Sequence, residues 1–175
     1  MLCWQGKCVI SKPLVHLLFL VFIFQGCTSL FFYPDQQTYK TPEELGLKYT
    51  DVYFESEDTT ALHAWHIFPT EPSKGLIFVA HGNAQNLSAH FLGWTWLVEA
   101  GYEIFIFDYR GYGASQGEAS VEGAIADTQA ALDYVDAHYA GQYVACGQSL
   151  GGTILINAMV QKERQKVEAV VIDST

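Results

Sequence analysis

The chain has 175 residues, enough for one domain with a sizeable core. Half of it is apolar and 14% is aromatic, which argues against a disordered chain. The formal net charge of −10 leaves no Lys/Arg surplus for phosphates and argues against a nucleic-acid partner, so the acidity reads as solubility.

Residues 1–26 read as a signal peptide or membrane anchor. Lys7 and Lys12 form a basic start, Leu14 to Phe24 is apolar apart from His16, and Gly26 precedes Cys27. The run is short for a membrane span, which needs roughly 20 residues, and suits the apolar core of a signal peptide. The segment Phe24-Gln25-Gly26-Cys27 resembles the lipobox of bacterial lipoproteins. That resemblance implies an exported protein attached to the membrane by lipidation of Cys27. Two alternatives stand beside it. One is an uncleaved anchor formed by extending the run through Leu30-Phe31-Phe32, and the other is a secreted protein with a plain signal peptide. Cys3, Cys8, Cys27 and Cys146 match neither a zinc site nor a disulfide framework. Cys146 falls in an apolar strand pattern and is expected to be a buried, inert thiol.

Residues 27–48 read as an extended lead-in, with Pro34, Pro42 and many polar side chains. From 49 to 175, strand and helix patterns alternate. Asp51 to Ser56 and Ala61 to Phe68 form two predicted strands around a polar turn at Glu57-Asp58-Thr59-Thr60. Alternation in the second suggests a half-buried antiparallel pair at a sheet edge. Gly75–Ala80, Tyr102–Phe107, Tyr143–Cys146 and Val167–Ile172 are continuous apolar runs, as in parallel strands covered on both faces. Helices are predicted over Leu87–Ala100, closed by Gly101, and over Val121–Tyr139, with Ser120 as N-cap. A third runs over Ser149–Gln161, apolar almost all round and therefore expected to be buried. The order implies an α/β fold, a mostly parallel sheet preceded by an antiparallel hairpin. Ligands bind such sheets at the carboxyl ends of the strands.

Three loops leave those ends: His81-Gly82-Asn83, Asp108 to Gly113, and Gly147-Gln148-Ser149. The run Gly147-Gln148-Ser149-Leu150-Gly151 fits G-x-S-x-G between an apolar strand and a small-residue helix. That pattern lifts a serine hydroxyl off a strand end on a sharp turn. Ser149 is the candidate nucleophile, and the alternative is a serine N-cap in an ordinary strand–helix turn. The backbone N–H groups of Leu150 and Asn83 are candidate oxyanion donors. Gly82 is expected to let the backbone turn toward a substrate, and Gln148 to shape the pocket. His81 reads as a structural histidine bonding its own loop. Arg110 is a weaker candidate for substrate binding and more often ties loops together, with Asp108 capping the strand end. His63, His66, His90 and His138 fall on strand or helix faces. No metal-binding spacing such as H-E-x-x-H occurs, so neither metal nor cofactor is expected. A dinucleotide-binding reading fails because Gly111 and Gly113 lack the third glycine at the required spacing.

With these motifs in place the chain resembles the α/β-hydrolase superfamily, in particular its serine-aminopeptidase-like and abhydrolase-domain members. The likeness rests on His81-Gly82-Asn83, on Phe107 to Gly113 with Ser115 and Gly117, on Gly147 to Gly152, and on Gly26 to Pro34, which resembles membrane-tethered members. It implies acyl transfer to water from an ester, thioester or amide, on a small-molecule, lipid or peptide substrate. Members carry an acid and then a histidine after the serine. Here Asp173 is the one carboxylate beyond the last predicted strand, and no histidine follows Ser149. The expectation is an α/β-hydrolase domain truncated after about its sixth strand, leaving Val167–Ile172 as an unpaired edge and the chain inactive as given. The competing expectation is a catalytically dead, tethered binding or structural module, or a product without function.

Overall fold

The computed structural model describes residues 2–4, 7–9 and 32–173. Most of the predicted signal or anchor segment, and the predicted lipidation site Cys27, lie outside the described residues. Near the N-terminus, β1 (Leu2–Trp4) and β2 (Lys7–Val9) form a small antiparallel pair. Among the described residues no helix is long and apolar enough to cross a membrane.

Then come β3 (Tyr33–Pro34), β4 (Lys48–Glu55), β5 (Ala61–Phe68), β6 (Leu76–Ala80), β7 (Ala84–Gln85), α1 (Leu87–His90) and α2 (Thr95–Glu99). The chain continues through β8 (Glu103–Phe107), α3 (Val121–His138), β9 (Tyr143–Gln148), α4 (Leu150–Gln161) and β10 (Val167–Asp173). Six strands make the main sheet, in the order β10-β9-β6-β8-β5-β4. β4 and β5 pair antiparallel, with Val52 opposite Ala64, and β5 joins β8 antiparallel. β8, β6, β9 and β10 run parallel.

The side-chain period of two divides the core. Leu76, Phe78 and Ala80 pack with Ala131 and Leu132 of α3 and with Ile154 and Leu155 of α4. Ile77 and Val79 pack on the other face with Leu87, Phe91 and Val98. From β6 the chain crosses one way to β8, whereas from β9 it crosses the opposite way to β10. Right-handed crossovers in opposite directions put the connecting helices on opposite faces. The loops leaving β6 and β9 therefore part company, and the crevice between them is the binding position of an open α/β sheet.

Two expectations need correction. The helix predicted over Leu87–Ala100 is broken. A 3₁₀ turn at Phe91–Trp94 separates α1 from α2, with Gly93, a poor helix former, in its middle. The helix starting after Ser149 is not buried all round either: Ile156 is 47% and Val160 82% exposed. Its inner face meets the sheet while its outer face is apolar but open. β10 is an edge strand, with Val170, Val171 and Ile172 exposed.

Candidate active site

Ser149 stands between the last residue of β9 and the first of α4 with φ 51° and ψ −119°. A residue with a side chain in that region costs of order 1–3 kcal/mol and persists only where its surroundings over-determine it. The surroundings here are three glycines. A Cβ on Gly147 would lie 2.5 Å from Gly152 Cα, and one on Gly152 would lie 2.8 Å from Ile172 Cγ2. A Cβ on Gly151 would run into the carbonyl oxygens of Ala80 and His81. Strand, bend and helix thus interlock at van der Waals contact. The Ser149 N–H donates to the Asp173 carbonyl at 2.6 Å, and its own carbonyl accepts from Gly152 N–H at 3.0 Å. The Ser149 side chain makes no capping bond to α4, and the residue is exposed. An ordinary N-cap is therefore not what this serine does.

The loop after β6 lies against the bend. A Cβ on Gly82 would sit 3.8 Å from Ser149 Cβ and 3.7 Å from the Gln148 carbonyl oxygen. Gly82 has no left-handed φ, so it supplies room for this approach, not the special turn predicted from sequence. His81 is fully buried and donates from Nδ1 to the Gly82 carbonyl at 2.7 Å. Its Nε2 faces Asp108 Oδ1 at 3.3 Å, and the same oxygen accepts Leu87 N–H at 2.7 Å. The Asn83 carbonyl accepts from the Tyr112 hydroxyl at 2.5 Å, and Asn83 Oδ1 accepts from Tyr33 N–H at 3.2 Å. Burial pushes the Tyr112 hydroxyl up to about 12, so it stays protonated and remains a donor.

The lead-in acts as a strap over this loop. β3 pairs with β7, Tyr33 opposite Ala84 and Pro34 opposite Gln85. Asn86 Nδ2 donates to the carbonyls of Asp35 and Gln37 at 2.8 Å each, and Gly113 N–H donates to Asp35 at 2.9 Å. Phe32 is 5% exposed and its ring meets that of Tyr112 edge-on.

Residues 71–175 match the family model described as serine aminopeptidase, S33. This chain belongs to the α/β-hydrolase superfamily. It is 35% identical over 182 residues to the uncharacterized protein YfhR of Escherichia coli O157:H7, covering 95% of this chain and 63% of YfhR. It is 36% identical over 143 residues to the α/β-hydrolase domain-containing protein WAV2 of Arabidopsis thaliana, covering 77% of this chain and 45% of WAV2. Among solved structures it resembles the Pyrococcus furiosus esterase Pf2001. There the TM-score is 0.69 at 25% identity, over 82% of this chain and 57% of the esterase. The chain thus spans less than two thirds of the length of these relatives.

Within this hydrolase fold, the structure lays Gly82, the residue before Asn83, against Gln148 and Ser149, the residues before Leu150. Arg110 takes the loop-tying role that the sequence favours over substrate binding. Its Nε and Nη2 meet the buried Asp127 carboxylate at 2.8–3.1 Å, and its Nη1 meets Asp58 at 2.8 Å. Asp127 and then Asp58 hold Arg110 well above its usual range, and the Arg110 guanidinium in turn holds the Asp58 carboxyl well below its own. The guanidinium is taken by the protein's own acids and is not offered to a substrate. Asp173 ends β10 beside Gln148 and binds the Ser149 backbone through its carbonyl.

Sequence reasoning missed His90. The sequence places it among several histidines on strand or helix faces, yet its ring bonds both the Ala84 carbonyl, at 2.7 Å, and the Gln148 side chain, at 2.9 Å. The one signal available was its place at the end of α1, a single turn past the Asn86 cap.

Proposed function

We propose that this chain carries the nucleophile-bearing part of a serine hydrolase that transfers acyl groups to water. The bend at Ser149, with its uncommitted capping geometry and the 81–83 loop laid against it, carries the reading. Ser149 Oγ attacks the carbonyl carbon of an ester, thioester or amide and gives its proton to a base. The carbonyl π electrons move to oxygen, where Leu150 and Asn83 N–H groups receive the negative charge. Each such donor is worth roughly 3–4 kcal/mol in a preorganised site. Collapse expels the alcohol, thiol or amine with that proton and leaves an acyl-enzyme, which water attacks in the same way. The esterase and aminopeptidase names among the relatives favour ester and amide substrates. His81 and His90 are committed to the loops, and no histidine follows Ser149 in the sequence, so the 175 residues given supply no base in the usual chain order.

The experiment is labelling with a serine-directed fluorophosphonate in the longest product of this reading frame. Label on Ser149, abolished by Ser149→Ala, is the expected result, and absence of label overturns the reading. The 175 residues alone are expected to hydrolyse p-nitrophenyl acetate no faster than the Ser149→Ala variant. Turnover above that background would refute an inactive fragment. The same proposal places the protein at a membrane through Cys27, supported by the basic start, the apolar run and the Gly26-Cys27 pair. Incorporation of a clickable fatty acid, lost in Cys27→Ser, tests it.

A further inference from the structure

One imidazole touches both walls of the crevice. His90 closes α1, and its Nε2 lies 2.7 Å from the Ala84 carbonyl, the residue after Asn83. Its Nδ1 lies 2.9 Å from the end of the Gln148 side chain, the residue before Ser149. Its Cε1 is 3.2 Å from where a Gly82 Cβ would stand, so the residue before Asn83 meets the ring as well. The ring stacks on the buried His81 with centroids 4.9 Å apart and planes 18° apart.

The hydrogen-bond chemistry fixes the tautomer. A carbonyl oxygen only accepts, so Nε2 carries the hydrogen that goes to Ala84. Burial, and next the neighbouring His81, lower the proton affinity of His90 and keep the ring neutral. Nδ1 is then a lone-pair acceptor, and Gln148 must present its amide nitrogen, the two ends of a carboxamide being interchangeable in position. With both nitrogens engaged, His90 is no base for Ser149. What it joins is the segment around Asn83 to the residue in front of Ser149 and Leu150.

We infer that His90 is the positioning residue of the oxyanion hole, setting the distance between the Asn83 and Leu150 amides by bonding Ala84 on one side and Gln148 on the other. This rests on the hydrolase reading above. The two amides belong to different loops at a switch point, and no backbone ladder joins β7 to the bend. A side-chain bridge is the direct way to hold them in register. Misplacement of a reacting group by about 1 Å costs on the order of 100-fold in rate.

The test uses the longest product of the frame with p-nitrophenyl acetate, alongside fluorophosphonate labelling. His90→Ala is expected to lower kcat by about 10- to 100-fold with KM changed less than about threefold, because the donors act on the transition state more than on bound substrate. Gln148→Ala should act similarly, and the double variant should be no worse than either single, as expected of one unit. His90→Gln, whose amide reaches the place of Nε2, should recover part of kcat, and so should added imidazole in His90→Ala. Nitrogen-15 NMR of the imidazole should report hydrogen on Nε2 and none on Nδ1 at pH 7. If the wild type is labelled and His90→Ala is folded with unchanged kcat, the positioning role is overturned. The opposite tautomer overturns it too, whatever the activity. If His90→Ala fails to fold, Gln148→Ala decides by the same kcat criterion. A wild type without label removes the hydrolase reading instead, while the tautomer measurement still stands or falls on its own.

Discussion

Replacing Ser149 with glycine should make the protein more stable while removing the proposed nucleophile. The backbone at φ 51°, ψ −119° charges any side-chain-bearing residue about 1–3 kcal/mol, and glycine relieves that strain. Against this stands the greater freedom of glycine in the unfolded chain, about 0.4–1 kcal/mol. The hydroxyl makes no capping bond, so Ser149→Ala keeps the strain and loses little else. The net expectation is that Ser149→Gly exceeds Ser149→Ala by about 1 kcal/mol, or about 2–4 °C in Tm for a domain of this size. Urea denaturation measures it as a rise in midpoint at unchanged m. Neither variant should accept the fluorophosphonate. A Ser149→Gly protein no more stable than Ser149→Ala would mean that the bend is relaxed and stores no strain at Ser149.

Gly151→Ala should behave the other way. Helix propensity favours alanine by about 1 kcal/mol, but the methyl would press on the rigid carbonyls of Ala80 and His81, and overpacking of about 1–3 kcal/mol or more should win. Equal or raised stability by urea midpoint would refute the interlock. Arg110→Ala leaves the fully buried Asp127 carboxylate without its cation and should cost about 3–5 kcal/mol of stability, with KM for p-nitrophenyl acetate unchanged. A raised KM without loss of stability would return Arg110 to the substrate. Burial holds the His66 and His90 rings below their ordinary proton affinity, so the unfolded chain binds more protons below pH 6.5. Their stabilising contribution is present above pH 6.5 and lost on acidification. Tm should therefore fall between pH 7.5 and 5.5, and less steeply in a His66→Gln, His90→Gln variant. Burial pushes the Cys146 thiol up to about 11, so it should resist iodoacetamide at pH 7.5 in the native state and react when unfolded, as read by mass spectrometry.

The sheet was legible because its strands are continuous apolar runs. Ala61–Phe68 has the expected bounds but is buried on both faces, not half-buried as its alternation suggests, because β8 and β4 flank it, and Val167–Asp173 lies at the edge as expected. The bend was legible because glycines at 147, 151 and 152 report backbone contact directly. The strap was not. β3 and β7 are two residues each, too short for any period, and Asn83 and Asn86 join it through side chains that sequence cannot aim. The broken helix after Leu87 was hidden because Phe91 and Val98 keep an inward spacing across the 3₁₀ turn. The open face of α4 was hidden because hydrophobicity reports preference for cover, not its presence. His90 escaped because a lone histidine on a short helix has no pattern. Its meaning comes from Gln148, 58 residues away.

The fastening of the Phe32–Gln37 strap to the Asn83–Asn86 loop has a geographical consequence. Cys27 precedes Phe32 by five residues, a leash of at most about 18 Å when taut. Wherever Cys27 is moored, the serine is moored close by. A fatty acyl mooring would turn a freely diffusing encounter into patrol of a thin layer above the bilayer, favouring acyl groups that live in that layer over those in bulk water.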